Sequence, residues 1–319
     1  RNNLKDKLLF FLHTTFTISK GDVGASHYFY DHLRLLEQYC DGNLRELAKK
    51  ITLDNAMLNY LDNTQNNANN PNENYAREFL ELFTITKGEQ IGEGDYSTYT
   101  EDDVIQAARV FSGFKTMLDR SIIDSDTGIP MGRISVNQHD QTDKIFSHAF
   151  DNYELQAGVD ENSIMDELHE FVDMVFDKEA TAKAYIEKLY RFFVKSEWGS
   201  ADETNIINPL TQLLIDNDYE IMPVVRTILS SQHFYDASDT DPSDEILGSI
   251  VKSPLQLLSS AIRNLGFTIP DPNNDMENYY KFSKFFLDNT FFPMAGMILF
   301  GPSTVAGYPA VFQAPDYDR

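Results

Sequence analysis

The sequence predicts a mainly α-helical protein: a multi-helix globular array with a small β-hairpin or irregular insertion around residues 116–150. Apolar residues recur at i, i+3, i+4 and i+7 along most of the chain, which is the spacing of one buried helix face. Several of these segments also begin at a typical helix-capping residue, whereas the stretch 116–150 lacks the pattern. We therefore expect more than half of the residues to be helical, with strand confined mainly to the insertion.

The N-terminal part of the chain predicts three helices joined by short turns. The first is the apolar run Leu4–Leu12, and the other two, Tyr28–Tyr39 and Leu44–Ile51, follow turns at residues 21–24 and 41–42. The segment AMLNYLDN then leads into an asparagine tract, NTQNNANNPNEN. Because Asn and Pro favour turns, this tract is either a flexible linker or, as we expect, an ordered loop.

Two amphipathic helices are predicted on either side of a glycine-containing loop within residues 71–115. The first begins at Asn72, a natural N-cap, and its apolar face consists of Tyr75, Phe79, Leu82 and Phe83. The second begins at Thr100, which fits a capping box with Asp103, and Gly113 is a plausible stop. The spacing therefore places two helices close together in sequence, with the loop between them.

The first of these helices also carries a polar stripe. Its members recur at i, i+3, i+4 and i+7 beside Glu73, and they are Asn74, Arg77, Glu78 and Glu81. A solvated helix face is the ordinary interpretation of such a stripe. The alternative is a buried cluster in which Arg77 holds the carboxylates, because its planar guanidinium can bond two carboxylate oxygens at once. Lys188 and Arg191, on a later helix, could meet these acids.

The insertion predicts extended structure rather than helix. The segment RISVNQHD alternates enough to indicate a short strand or hairpin. His139 and Asp140 lie at its end, in a loop of the kind that often carries function. The segment DSDTGIP is a turn that could serve as a short calcium loop, although it lacks the 12-residue spacing of an EF-hand.

The remainder of the chain predicts further helices and one internal boundary. Helical spacing resumes after the insertion, and Ser253 and Gly266 have the positions of a helix cap and a helix stop. The acidic segment DASDTDPSDE, residues 236–245, is the best linker candidate. It divides an N-terminal helical region, residues 1–235, from a C-terminal helical region, residues 236–319, and we expect the two to pack as one unit.

Composition excludes some classes of function. The net charge of −24 repels nucleic-acid phosphates and anionic membranes, and it indicates above all a soluble surface. Cys40 is the only cysteine, so no internal disulfide can form, and no apolar run is long enough for a transmembrane helix. The chain starts at Arg1, already inside a predicted helix, which is compatible with the loss of a signal peptide.

The sequence contains no Gly-rich phosphate loop, no GxSxG, no HExxH and no CxxC pair. The candidate catalytic residues that remain are Glu73, Glu78, His139 and Asp140, and the candidate binding or structural residues are Asn74, Arg77, Glu81 and Arg191. Carboxylates with a histidine could bind a divalent cation, or a perturbed carboxylate could act as a general acid or base. An ion-pair network between helices is the structural alternative, and we assign no metal ligand.

Long ordered motifs resemble a large bacterial family catalogued as domain of unknown function 1800. They span nearly the whole chain and are AMLNYLDN, NENYAREFLELFT, YTEDDVIQAARVFSGF, HD before KIF, KLYRFFV, VKSPLQLL and LFGPSTVAGYP. Two departures are visible. The family's FWHNHF is FLHTTF here, so His13 is kept but Thr15 replaces the second histidine. Its terminal Gly-Trp-Pro is GYP here, with Tyr308 in place of the tryptophan.

The resemblance implies a mainly α-helical, exported protein, located in the periplasm, at the cell surface or outside the cell. It also implies a partner, because genes of this family often neighbour those of exported proteins that resemble sulfatases and alkaline phosphatases. No catalytic residues are established for the family. We therefore expect an interaction or assembly component. The alternative is a hydrolase, with or without a divalent metal, that uses a single polar cleft formed by Glu73, Glu78, His139 and Asp140. A carbohydrate-binding module is a third interpretation.

Overall fold

The computed structural model describes residues 3–235, 252–289, 291–302 and 304–308. Helices account for 55% of the structure, which confirms the predicted mainly α-helical class. The α-helices are α1 (Leu4–Thr15), α2 (Ser26–Tyr39), α3 (Leu44–Ile51), α4 (Asn55–Tyr60), α5 (Asn74–Glu78), α6 (Glu101–Val110), α7 (Glu161–Phe176), α8 (Glu179–Phe193), α9 (Ser200–Asp202), α10 (Asn208–Asp216), α11 (Ile221–Ser230), α12 (Gln232–Tyr235), α13 (Pro254–Leu265), α14 (Met276–Ser283) and α15 (Phe291–Met294).

In the described ranges, six short strands form three separate antiparallel pairs. They are β1 (Gln90–Gly92) with β2 (Asp95–Tyr96), β3 (Phe114–Lys115) with β4 (Arg133–Ile134), and β5 (Lys144–Ile145) with β6 (Glu154–Leu155). The second and third pairs each place one strand inside the predicted insertion, 116–150, and the other just outside it. The hairpin β1–β2 lies outside the insertion altogether. It is in the loop between the two amphipathic helices predicted within residues 71–115, which we call the signature helices.

Both signature helices depart slightly from their predicted bounds. The first signature helix, α5, begins at Asn74 rather than directly after Asn72. The side chain of Asn72 accepts a hydrogen bond from the Asn74 amide at 3.0 Å. The helix continues as a π-helix over Phe79–Phe83, so the i, i+4 spacing does not persist to its end. The second helix has the predicted capping box, in which Thr100 and Asp103 each bond the other's backbone amide.

The core is centred on aromatic rings from the signature helices and α7. Phe171 lies at this centre, with ring centroids 5.7 Å from Phe79, 5.2 Å from Phe111 and 5.4 Å from Phe146. All four residues are at most 1% exposed. Packing α5, α6, α7 and the insertion against one another in this way places the polar ends of these elements near each other.

The asparagine tract is an ordered loop, as expected. Asn66 is fully buried, and its side-chain amide donates to the carbonyl oxygen of Ala108 at 2.8 Å. Its side-chain oxygen accepts from the Asn72 amide at 3.0 Å. Asn63, also buried, donates to the Phe111 carbonyl at 3.2 Å. These bonds attach the tract to the C-terminal end of α6.

The C-terminal part of the described chain begins with α13 and includes a loop that packs on α1. The predicted linker 236–245 lies outside the described residues, and α13 begins beyond it at the predicted cap Ser253. Phe300 contacts the rest of the chain, since its carbonyl oxygen accepts from the Lys20 amide at 2.8 Å. Its ring also lies 5.4 Å from that of His13. This loop therefore packs on the end of α1.

Candidate functional site

The polar stripe on α5 is held by Arg77. Its guanidinium donates two hydrogen bonds to the carboxylate of Glu101 on α6, at 3.1 and 2.7 Å, and one to Glu73 at 3.2 Å. The Arg77 side chain is 32% exposed, so this is a half-buried ion pair between two helices. Hydrogen bonding to Glu101 raises the pKa of Arg77 and lowers the pKa of Glu101.

The other members of the stripe have separate partners. Burial, and then the charge of neighbouring Glu81, raises the pKa of Glu78, while Arg77 opposes this shift. Glu81 accepts a hydrogen bond from the hydroxyl of Tyr99 at 3.2 Å. The side-chain amide of Asn74 donates to the carbonyl oxygen of Leu61 at 3.2 Å. The stripe is therefore partly buried, and it belongs to the contact between α5, α6 and the loop that joins them.

The cations of α8 do not meet these acids. Arg191 lies 3.7 Å from Glu187 of its own helix and 4.6 Å from the ring of Trp198. Lys188 donates instead to the backbone carbonyl oxygen of Leu82, within the π-helix. Burial lowers the pKa of Lys188 to about 8. The expected pairing of α8 with the stripe is thus wrong, because Lys188 satisfies a backbone carbonyl instead.

His139 belongs to a different and fully buried cluster. Its Nδ1 lies 2.8 Å from the carbonyl oxygen of Ser112, and its Nε2 lies 2.9 Å from Oε2 of Glu167 on α7. Lys144 places its ammonium 2.6 Å from Oε1 of Glu167. The amide of Gly158 also donates to Oε2 at 2.7 Å. The side chains of His139, Lys144 and Glu167 are 0% exposed.

The contacts of His139 fix its hydrogen on one nitrogen. A carbonyl oxygen can only accept, so Nδ1 must carry a hydrogen toward Ser112. The other ring nitrogen, Nε2, then faces Oε2 of Glu167. Such a pair has the chemistry of a general acid or base, but its burial leaves no room for a substrate atom beside it.

Asp140 turns away from this cluster and binds Arg109. Its two carboxylate oxygens accept from Nε and Nη2 of Arg109 at 2.9 and 3.3 Å, and Thr142 also donates to it. Burial acts to raise the pKa of Asp140, but the hydrogen bonds from Arg109 and Thr142 outweigh it and hold the pKa at about 2. Asp140 is therefore ionised at neutral pH and occupied by a guanidinium.

The proposed single cleft of Glu73, Glu78, His139 and Asp140 does not form. Among the described residues, no hydrogen bond or ion pair joins either glutamate to His139 or Asp140. Glu73 shares Arg77 with Glu101, at the start of α6, whereas His139 bonds Ser112, just past its end. Ten helical residues separate these places by about 15 Å. The two groups are held at opposite ends of one helix.

Sequence reasoning missed Glu167 and the role of Lys144. Glu167 lies between Ile164 and Phe171 on the apolar face of α7, three residues after the first and four before the second. A carboxylate at such a position is buried unless the helix turns, and it then needs a partner. The position of Glu167 on an apolar helix face was therefore the signal available in the sequence. Gly158 completes the site, because a Cβ there would lie 2.4 Å from the amide nitrogen of Ile164.

The described residues contain no group of three or more His, Cys, Asp or Glu side chains placed to hold a metal ion. The acidic turn DSDTGIP already binds a cation of the protein itself. Lys50 places its ammonium 2.6 Å from Asp124 and 2.6 Å from Asp126. An ammonium therefore occupies the place that a calcium ion would take in this loop.

Two cavities of about 320 and 50 Å³ have partly polar linings, with His169 and Asp173 in the first and Lys50 and Asp124 in the second. Two larger cavities lie elsewhere in the described structure. One, of about 680 Å³, separates α1 from α13 and is lined by Phe10, Phe192, Phe193 and the cations Lys7 and Arg263, among others. The other, of about 470 Å³, is a groove within the C-terminal helices. None of the predicted site residues lines either of them. These two larger cavities and the predicted site residues are thus in different parts of the molecule.

Comparison with known proteins identifies a family but no activity. A family model described as Protein of unknown function (DUF1800) matches residues 1–317. No curated protein and no solved structure matches the chain. No helix in the described part of the chain is long and apolar enough to cross a membrane.

Proposed function

The chain belongs to the DUF1800 family, and we propose that it is an exported interaction or assembly component that binds a partner protein through the groove of its C-terminal helices. Export to the periplasm, the cell surface or the medium rests on what the family resemblance implies. The observation that supports binding rather than catalysis is the apolar lining of this groove.

The groove has the chemistry of a docking site for an apolar segment. Its nine lining residues include one polar side chain, and they are Leu257, Leu258, Ala261, Ile262, Phe267, Thr268, Phe282, Phe286 and Phe291. Phe267 is 66% exposed and Leu257 is 39% exposed. A contiguous exposed apolar patch in a protein of this charge is a typical mark of an interaction surface.

Charge and shape favour an amphipathic helix as the occupant. Residues 252–289 contain four basic and four acidic residues, so this segment is neutral although the whole chain has a charge of −24. A partner approaching here therefore avoids the repulsion of the acidic surface. The groove runs between α13 and the helical segments of residues 276–294, and a third apolar helix laid into it would complete a bundle.

What weighs against the hydrolase alternative is the accessibility of the candidate residues. The side chains of His139 and Glu167 are fully buried, and Asp140 is bound by Arg109. A catalytic carboxylate or imidazole must reach a substrate atom within hydrogen-bond distance. In this protein His139 faces Glu167 and Asp140 faces Arg109, and none of these residues lines one of the four cavities.

The proposal is tested by capture of the partner from native cell envelope with Phe267→Asp as the variant. The substitution places a carboxylate in the apolar groove, where the bound partner would bury it, and it should reduce capture at least tenfold. Leu118→Asp is the matched control, because Leu118 is 76% exposed and lies far from the groove in sequence and contacts. The expected partner is an exported protein of the sulfatase and alkaline-phosphatase type. Recovery of the protein alone, or equal capture by both variants, would contradict the proposal. Sedimentation of the purified protein measures its oligomeric state and would reveal a second copy as the occupant.

A further inference from the structure

His13 is a buried histidine that has no hydrogen-bond partner among the described residues. It lies at the end of α1, is 1% exposed, and neither of its ring nitrogens contacts a donor or acceptor. A neutral imidazole always carries one N–H, so at least one donor and one lone pair are left unsatisfied. Leaving a buried polar group unpaired costs about 1–3 kcal/mol, and an exception of this kind calls for an explanation.

His32 on α2 lies next to it with a third unpartnered nitrogen. Its Nδ1 lies 2.8 Å from Oδ2 of Asp54, while its Nε2 is buried and contacts no donor or acceptor. A carboxylate bound to Nδ1 holds the hydrogen on that nitrogen and leaves the lone pair on Nε2. This is the carboxylate–histidine arrangement that orients histidine ligands toward metal ions.

The separation of the two rings fits one ion between them. The ring centroids are 6.2 Å apart. A metal–nitrogen bond of about 2 Å, plus roughly 1.1 Å from nitrogen to centroid, places two opposed imidazole centroids about 6 Å apart. A tetrahedral pair would bring them to about 5 Å by the same arithmetic. The observed separation equals that of a linear pair in which one nitrogen of each ring lies on the line between the two rings.

The described residues around the pair supply apolar walls rather than further ligands. The rings of Phe29 and Phe300 lie 6.5 and 5.4 Å from that of His13. The hydroxyl of Tyr308 donates to the carbonyl oxygen of Ile298 and accepts from the amide of Gly301, so it is already engaged. The carboxylate near this pair is that of Asp54, bound to His32.

We propose that His13 and His32 bind a single cuprous ion in linear coordination, with Asp54 as the positioning residue of His32. Imidazole nitrogens are suitable ligands for copper. The single charge of Cu⁺ is matched by the one carboxylate, whereas a doubly charged ion would leave one buried charge uncompensated. The second histidine of this site comes from α2, so the presence of Thr15 in place of a histidine on α1 does not remove it.

The site goes beyond the proposed interaction through the groove and does not depend on it, since none of its residues lines the groove.

The test is a competition titration of the whole chain with cuprous ion supplied as its bicinchoninate complex, under oxygen-free reducing conditions. We expect one Cu⁺ per chain, and X-ray absorption should show two nitrogen ligands at about 2 Å. His13→Phe and His32→Gln should each weaken binding at least tenfold. His148→Gln is the matched control, because the His148 side chain is 60% exposed, and it should bind as the parent does.

Thermal unfolding keeps the test decisive if a variant is perturbed. His13→Phe retains an aromatic ring in the aromatic pocket and removes two unpartnered nitrogens, so its metal-free midpoint should equal or exceed that of the parent. Cu⁺ should then raise the midpoint of the parent and not that of the variant. Absence of Cu⁺ binding, equal binding by the histidine variants, or tighter binding of Zn²⁺ than of Cu⁺ would overturn the proposal.

Discussion

Most phenylalanines of residues 3–235 are buried, whereas those described in residues 252–308, apart from Phe292, are half-buried or exposed. Phe171 is fully buried among Phe79, Phe111 and Phe146, whereas Phe285, in the C-terminal helices, is 52% exposed. In the first region the aromatic rings hold α5, α6 and α7 together. In the second region the same residue type lines a groove or faces solvent. Under the proposed function, this difference assigns stability to the first region and recognition to the second.

The strongest test of this comparison is a pair of matched truncations. Phe171→Ala leaves a cavity between three other rings, and we expect a loss of about 3–5 kcal/mol in the free energy of unfolding. Phe285→Ala removes a half-exposed ring and should cost less than about 1 kcal/mol. Urea unfolding followed by circular dichroism measures both. Equal losses for the two variants would show that the C-terminal helices are as tightly packed as the core.

The buried ion cluster sharpens the comparison within α7. Glu167→Gln leaves the ammonium of Lys144 buried beside a neutral amide, and we expect a loss of about 3 kcal/mol in the free energy of unfolding. Glu170→Gln, on the exposed side of the same helix, is the matched control and should change it by less than about 0.5 kcal/mol. A small loss for Glu167→Gln would mean that a substrate or solvent reaches this cluster, which would revive the catalytic interpretation of His139.

Local signals predicted the helices well. The bounds Leu44–Ile51 agree with α3, and the capping residues Thr100 and Ser253 both bond their helix amides as expected. A cap depends on a few neighbouring residues, so the sequence contains all that determines it. The π-helix of Phe79–Phe83 was not predicted, because its turn is stabilised by Lys188, more than one hundred residues away.

The candidate site was less predictable because its contacts are distant in sequence. His139 was identified as a functional candidate, but its partner Glu167 lies 28 residues away on another helix. The two acids Glu73 and Glu78 were grouped with it on residue type alone. Residue type indicates which chemistry is possible, whereas the packing of α6 against α7 decides which groups meet. The pairing of His13 with His32 likewise depends on how α1 lies on α2.

Arg77 provides the prediction with the smallest expected loss of stability. Its ion pair joins a cation to a glutamate, as the pair of Lys144 and Glu167 does, but it is more exposed. The sequence suggested a buried Arg77, whose removal would cost about 3–5 kcal/mol. Its side chain is 32% exposed and that of Glu101 is 37% exposed, so water and salt screen the pair. We expect Arg77→Met, which keeps the apolar stem, to lose about 1 kcal/mol.

The ionic strength distinguishes a screened pair from a buried one. The difference in free energy of unfolding between the parent and Arg77→Met should shrink in 1 M salt, where the screening length is about 3 Å. The loss caused by Glu167→Gln should hardly change, because salt does not enter a fully buried pair. A loss in free energy of unfolding above about 3 kcal/mol for Arg77→Met, unchanged by salt, would contradict this prediction. The polar stripe would then be part of the core, and the α5–α6 contact would exclude water as completely as the contact of α7 with the insertion.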